Sequence, residues 1–176
     1  MSSNLLTQTA SEAAYGRGRS SSRRSWCEIG SGNPPAAQNS RHRAMHRILW
    51  VDDDKDDLDL FCEAVRDVSE ETRVIALHSG QDAVDFLEQN EGRDDFPCLM
   101  VLDMNMPGLS GRDTLARLRG NDRFSKLPII VFTTSNSPLD RMFCDKFGVE
   151  MLTKPVEYAT LRTLARKLLQ VCRCDE

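Results

Sequence analysis

The sequence predicts an α/β domain, a doubly wound five-stranded parallel sheet with helices on both faces. From residue 46 onward, short apolar runs alternate five times with stretches of helical periodicity, the pattern of repeated βα units. Four of the five runs end directly on acids, hydroxyls or a lysine. The 176 residues suffice for one well-buried core and are too few for two ordinary domains. With 40% hydrophobic and 28% charged residues, the bulk composition is that of a soluble globular chain.

Residues 1–45 stand apart and are read as a disordered basic tail. Stretches such as Ser20-Ser21-Ser22-Arg23-Arg24-Ser25 and Gly30-Ser31-Gly32-Asn33-Pro34-Pro35 show no sustained period and few large apolar side chains. Met45, just before the first strand-like run, is a candidate natural start. The domain proper is placed at residues 46–176.

The strands are expected at 47–51, 73–78, 98–102, 128–132 and 149–152. Between them Leu58, Phe61, Val65 and Val68 recur at helical spacing, as do Ala83, Phe86 and Leu87, and then Leu115 and Leu118. Leu139, Met142 and Phe143 mark the expected buried face of a fourth helix, which Gly148 ends as a C′ glycine. The last helix carries Leu161, Leu164, Ala165, Leu168 and Leu169 on one stripe. Five units of this length suggest the flavodoxin-like strand order 2-1-3-4-5, in which ligands gather at the carboxyl ends of the strands.

Charge and cysteine content narrow the function. Residues 1–46 carry six arginines against two acids, a formal +4 that leaves −8 on the remainder. An acidic body argues against nucleic-acid binding, which needs a cationic face. No apolar run reaches the ~18 residues that span a bilayer, and no secretory leader is evident, so the chain is read as cytoplasmic and free of the membrane. The six cysteines are accordingly expected as reduced thiols, with Cys62, Cys98 and Cys144 acting as small buried hydrophobes. Cys172-Arg173-Cys174 is too tight for a C-x-x-C motif, no second Cys or His pair completes a site, and no chemistry is assigned to it.

The strand ends supply Asp52-Asp53-Asp54, Asp103, Thr133-Thr134-Ser135 and Lys154-Pro155. In the expected sheet they converge on one edge. Carboxylates brought together there need compensation, which a divalent cation and a lysine provide. Hard oxygen ligands without paired His or Cys favour Mg²⁺, which prefers few carboxylates, waters and a phosphate oxygen. A carboxylate beside the cation can attack phosphorus in line, while lysine and hydroxyl stabilise charge on the equatorial oxygens. Asp103, alone after an apolar strand, suits the nucleophile. Asp54 taken singly reads better as a helix N-cap.

Residues 47–171 resemble a response-regulator receiver domain. The resemblance rests on Ile48-Leu49-Trp50-Val51-Asp52-Asp53-Asp54, on Val101-Leu102-Asp103-Met104-Asn105-Met106-Pro107-Gly108 with Gly111 following, on Val131-Phe132-Thr133-Thr134-Ser135, and on Thr153-Lys154-Pro155. It implies that Asp103 accepts a phosphoryl group. It also implies that Asp53, Asp103 and the backbone carbonyl of Asn105 ligate Mg²⁺, with Asp52 contributing directly or through water. Thr133 would be the switch hydroxyl, with Thr134 beside it at the phosphoryl site. Lys154 would contact a phosphoryl oxygen, its bond to Pro155 being cis in many members. Met151 stands where the family usually places a switch aromatic, a departure from the family's pattern.

Trp50, the 132–135 run and the 121–128 stretch are similar to the stand-alone, phytochrome-associated type. With only 170–176 after the last helical stripe, the module is expected to act through protein contacts. A sensor histidine kinase or a histidine phosphotransfer protein would supply the phosphoryl group; a downstream protein target and a homodimer are left open. A haloacid-dehalogenase-type phosphohydrolase would share the nucleophile, Mg²⁺, hydroxyl and lysine. It typically places a carboxyl group two residues after the nucleophile, where this chain has Asn105, an amide that cannot exchange protons. A flavodoxin-like FMN binder would have to hold a phosphate against Asp52-Asp53-Asp54.

Overall fold

The computed structural model describes residues 25–26, 46–94 and 96–172. In chain order these form β1 (Ser25–Trp26), β2 (His46–Val51), α1 (Lys55–Val68), β3 (Thr72–Leu77), α2 (Gly80–Asn90), β4 (Leu99–Leu102), α3 (Gly111–Arg119), β5 (Ile129–Thr133), α4 (Pro138–Lys146), β6 (Glu150–Thr153) and α5 (Tyr158–Val171). The sheet order is β1-β3-β2-β4-β5-β6. The five strands from β2 onward are parallel, and the βα units take the expected order 2-1-3-4-5. The described part of the segment read as a tail, Ser25–Trp26, pairs antiparallel with β3 at the sheet edge. The rest of 1–45 lies outside the described residues.

Strand alternation divides the core between two faces. Ile48 and Trp50 of β2 point to the face covered by α1 and α5, where Trp50 stacks on Phe61 at 3.7 Å between ring centroids and meets Phe132 edge-on at 5.1 Å. Leu49 and Val51 point to the other face, against Ala83 and Leu87 of α2, Leu115 and Leu118 of α3, and Cys144 of α4. A strand buried on both sides has no polar positions to alternate, and β4 and β5 are accordingly buried along their whole length.

Short polar residues start the helices by accepting backbone N–H groups that have no partner inside the helix. The Asp54 carboxylate accepts from the amides of Asp56 at 2.8 Å and Asp57 at 3.3 Å, and the hydroxyls of Ser79 and Ser110 accept from Asp82 and Asp113. Asp54 is thus the cap its position suggested. Gly148 follows the last turn of α4 with φ of +64°, a conformation that costs glycine little.

Two expectations from the sequence are corrected. Leu139 and Met142 do not line the buried face of α4; both are 67% exposed, and Asp140 and Cys144 turn inward instead. Asp140 is drawn in by polar partners that hydrophobic spacing does not register: Ser135 donates to it at 2.5 Å and Arg112 of α3 donates through Nε at 2.8 Å. The second correction concerns the thiols. Cys98 and Cys172 are joined as a disulfide, their Cα atoms 5.2 Å apart, because the start of β4 and the end of α5 meet at the bottom of the sheet. Cys62 and Cys144 are buried as expected. No helix among the described residues is long and apolar enough to cross a membrane.

Candidate functional site

The parallel ladder runs one residue past each strand and fixes the residues at its top. The Asp52 amide donates to Leu77 at 3.0 Å, the Asp103 amide to Val51 at 2.9 Å and the Lys154 amide to Thr133 at 3.0 Å. Apolar strand segments buried on both faces therefore set the backbone from which Asp52 and Asp103 project, while the partly exposed edge strand β6 places Lys154. The carboxylates of Asp52, Asp53 and Asp103 come together, with one oxygen of each inside a 4.8 Å cluster. Asp52 is 1% exposed and Asp103 5%, whereas Asp53 faces solvent.

Lys154 reaches into this cluster from the end of β6. Its ammonium lies 2.6 Å from Asp52 Oδ2, 2.7 Å from Asp57 Oδ2 and 3.7 Å from Asp103 Oδ1. Burial pushes the Asp52 carboxyl above the usual carboxylate range, although Lys154 and the Asp54 amide pull the other way. For Lys154, burial opposes the charge, but hydrogen bonds to Asp52 and Asp57 and the field of Asp103 outweigh it and raise its pKa. The ammonium stays charged at neutral pH. The Lys154 ammonium is set against the carboxylates of Asp52, Asp53, Asp57 and Asp103, so among the described residues the cluster keeps net negative charge. A hard divalent cation fits that deficit, and its oxygen ligands are present.

Thr133 is fully buried at the end of β5. Its hydroxyl oxygen accepts from the Ser135 amide at 3.2 Å and, at the limit of 3.5 Å, from the Asn105 side-chain amide. The Asn105 backbone N–H donates to Asp103 Oδ2 at 2.9 Å and orients the carboxylate. Thr134 is exposed beside this network. Met151 sits opposite Val131 in the core on the α2–α4 side. The Lys154–Pro155 bond is trans, not cis as in many members of the resembled family; no peptide bond among the described residues is cis. Trans is the isomer that X–Pro bonds prefer by about 0.5–1 kcal/mol.

Sequence reasoning missed Asp57, Arg112 and Asp140. An acid in the first turn of α1 looks like an ordinary response to the helix dipole, so Asp57 carried no distinct signal until Lys154 was placed beside it. The Ser135–Asp140–Arg112 network ties the loop after Thr133 to α3 and α4. The Ser135 hydroxyl, with Arg112 adding to it, outweighs the cost of burial and holds the Asp140 carboxyl below its ordinary range. Gly111 serves the same region: a Cβ there would overlap the Asp103 carbonyl oxygen and lie 2.7 Å from Met104 Cα. The motif glycine thus lets the start of α3 pack directly on the backbone that carries Asp103.

A carboxylate nucleophile candidate, an acidic cation cradle, a buried hydroxyl and a lysine at the carboxyl edge of a 2-1-3-4-5 sheet define a receiver-type module. The chain belongs to the response regulator receiver domain family, whose model matches residues 48–166. It is a response regulator receiver of two-component signalling, and its relatives include the phytochrome-associated, stand-alone type. It is 34% identical over 95 residues to response regulator Rcp1 of Synechocystis sp. (strain ATCC 27184 / PCC 6803 / Kazusa), covering 53% of this chain and 65% of that protein. It is 35% identical over 127 residues to the transcriptional regulatory protein CpxR of Escherichia coli (strain K12), covering 72% of this chain and 50% of that protein. The chain thus spans half to two thirds of these relatives.

Among solved structures, the Mn(2+)-bound form of Rcp1 superposes with a TM-score of 0.61 at 30% identity, over 69% of this chain and 90% of that one. The phosphorylated cyanobacterial phytochrome response regulator RcpA gives 0.66 at 25% identity, over 73% and 94%.

Proposed function

We propose that this chain is a single-domain response regulator that accepts a phosphoryl group on Asp103 in a Mg²⁺-dependent reaction and signals through protein contacts in the cytoplasm. The observation that carries the reading is the convergence of Asp52, Asp53 and the Lys154 ammonium on Asp103, with Thr133 joined to it through Asn105. The Mn(2+)-bound state of Rcp1 and the phosphorylated state of RcpA support it by similarity.

Asp52, Asp53, Asp103 and the Asn105 carbonyl would hold the cation, which supplies charge neutralisation for an incoming phosphoryl group. Asp103 attacks phosphorus through a carboxylate oxygen, and the donor's imidazole or carboxylate leaves. Lys154 exchanges part of its contact with Asp52 and Asp57 for a phosphoryl oxygen, and the Thr133 hydroxyl donates to another. Thr134 borders the phosphoryl oxygens from the solvent side. Asn105 stands where a hydrolase needs a carboxyl group to activate water, so the acyl phosphate persists and the protein signals rather than turning over a substrate. The phosphoryl donor is a sensor histidine kinase or a histidine phosphotransfer protein.

Incubation with acetyl phosphate and Mg²⁺, read by intact-protein mass spectrometry, tests the reading. One phosphoryl adduct is expected on the wild type and none on Asp103→Asn. Equal labelling of both would overturn it.

A further inference from the structure

At the opposite end of the sheet, three side chains with a different ligand chemistry meet. His46 opens β2, Cys98 immediately precedes β4, and Cys172 caps α5. One ligand atom from each lies within 4.8 Å of the others. Six strand residues at ~3.3 Å each put this group ~20 Å from the acidic cluster. Cys172 is fully buried, and His46 and Cys98 are half-buried.

The disulfide alone does not account for this arrangement. His46 Nδ1 is buried and has no hydrogen-bond partner, a state that buried polar atoms rarely keep without an ion, a water or a redox role. Cys98 Sγ lies 3.2 Å from the Arg47 carbonyl oxygen and Cys172 Sγ 3.9 Å from it, so the sulfurs sit against the backbone that follows His46. Two sulfurs and one imidazole are the soft and borderline donors that zinc-like cations select over Mg²⁺.

We propose that the reduced protein binds one thiophilic divalent cation of the zinc type through His46 Nδ1, Cys98 Sγ and Cys172 Sγ, with solvent or a further donor at the fourth position. Formation of the site is a balanced sequence. A dithiol reductant is oxidised to its cyclic disulfide as the Cys98–Cys172 bond is reduced to two thiols. The cation then displaces two thiol protons to solvent, and the two thiolates neutralise its charge. Neutral imidazole donates the lone pair of Nδ1. Ligands around one tetrahedral zinc lie about 3.5–4 Å apart, within the spread of these atoms once the sulfur–sulfur bond opens. The cation holds the start of β2, the start of β4 and the end of α5 together as the disulfide does, so the pair has two closed states and one open one. The inference does not depend on the role of Asp103.

The test uses the full chain reduced with a non-thiol phosphine, freed of reductant, and titrated with Co²⁺ as the spectroscopic probe. Thiolate-to-cobalt charge-transfer absorption saturating at one ion per chain is expected. The acidic cluster, being all oxygen, cannot produce that absorption. Cys98→Ser and Cys172→Ser should each abolish the band, while Cys144→Ser keeps it. His46→Gln should weaken binding by more than about tenfold, the loss that removing even an outer partner of a ligand brings. Folding of each variant is checked by circular dichroism without metal. In the wild type, Zn²⁺ should shield Cys98 and Cys172 from alkylation, as mapped by peptide mass spectrometry. Absence of the band in the reduced wild type, its persistence without Cys98 and Cys172, or protection mapping to other cysteines would overturn the proposal.

Discussion

Replacing Lys154 by methionine isolates its charge, because methionine keeps an unbranched stem of similar volume. The side chain is 11% exposed, and its ammonium lies 2.6 Å from Asp52, which is 1% exposed, and 3.7 Å from Asp103. At 2.6 Å and an effective dielectric of ~20, the gross attraction to Asp52 is about 6 kcal/mol, most of it offset by the desolvation of both ions. Removing one partner leaves that desolvation cost uncompensated, so Lys154→Met should cost about 3–5 kcal/mol of stability.

The loss has a pH signature. The folded Asp52 pKa already lies above its unfolded value through burial, and losing Lys154 raises it further. A carboxyl group with a raised folded pKa destabilises the fold as pH climbs from the unfolded value through the folded one. The Lys154→Met penalty should therefore be smallest at acid pH, where Asp52 is protonated in both proteins, and largest at neutral pH. Mg²⁺ should recover part of it. Urea melts of both proteins across pH, with and without Mg²⁺, measure this. A penalty under about 1 kcal/mol that is constant with pH and indifferent to Mg²⁺ would refute the electrostatic argument.

Asp53→Asn removes an exposed repelling charge, so metal-free stability should equal or exceed that of the wild type while Mg²⁺-dependent labelling by acetyl phosphate disappears; thermal melts beside the labelling assay check both. Asp140→Asn should cost about 1–3 kcal/mol at neutral pH. Because the folded Asp140 pKa lies below 3.8, that stabilisation is fully present above 3.8 and fades as pH falls through the folded value, which urea melts taken down through the carboxylate range would show. Gly111→Ala forces a Cβ onto the backbone of Asp103 and Met104 and should cost about 1–3 kcal/mol while slowing labelling of Asp103, as followed by intact-protein mass spectrometry over time.

The strands and the top of the sheet were legible in the sequence because apolar runs and the polar residues ending them are local signals. Each expected strand lies within a residue of the observed one, and Asp52, Asp53, Asp103 and Lys154 meet where strand order places them, with Thr133 linked to them through Asn105. What escaped was tertiary. Asp57 matters only because Lys154 folds back across 97 residues to it. Leu139 and Met142 have the spacing of a buried stripe, yet Asp140 faces inward because Arg112 and Ser135 satisfy its charge. His46, Cys98 and Cys172 are separated by 52 and 74 residues, so no motif spacing could connect them; the sheet does, by starting β2 and β4 at the place where α5 ends.

The central claim is that Asp103 is the phosphoacceptor, and the chemistry of an acyl phosphate tests it most directly. After labelling with acetyl phosphate and Mg²⁺, borohydride reduction should convert the phosphorylated aspartate alone into homoserine, and peptide mass spectrometry should find that change at residue 103. Homoserine at Asp52 or Asp53 instead, or a phosphoryl group resistant to reduction and carried on a hydroxyl such as Thr133, would contradict the account.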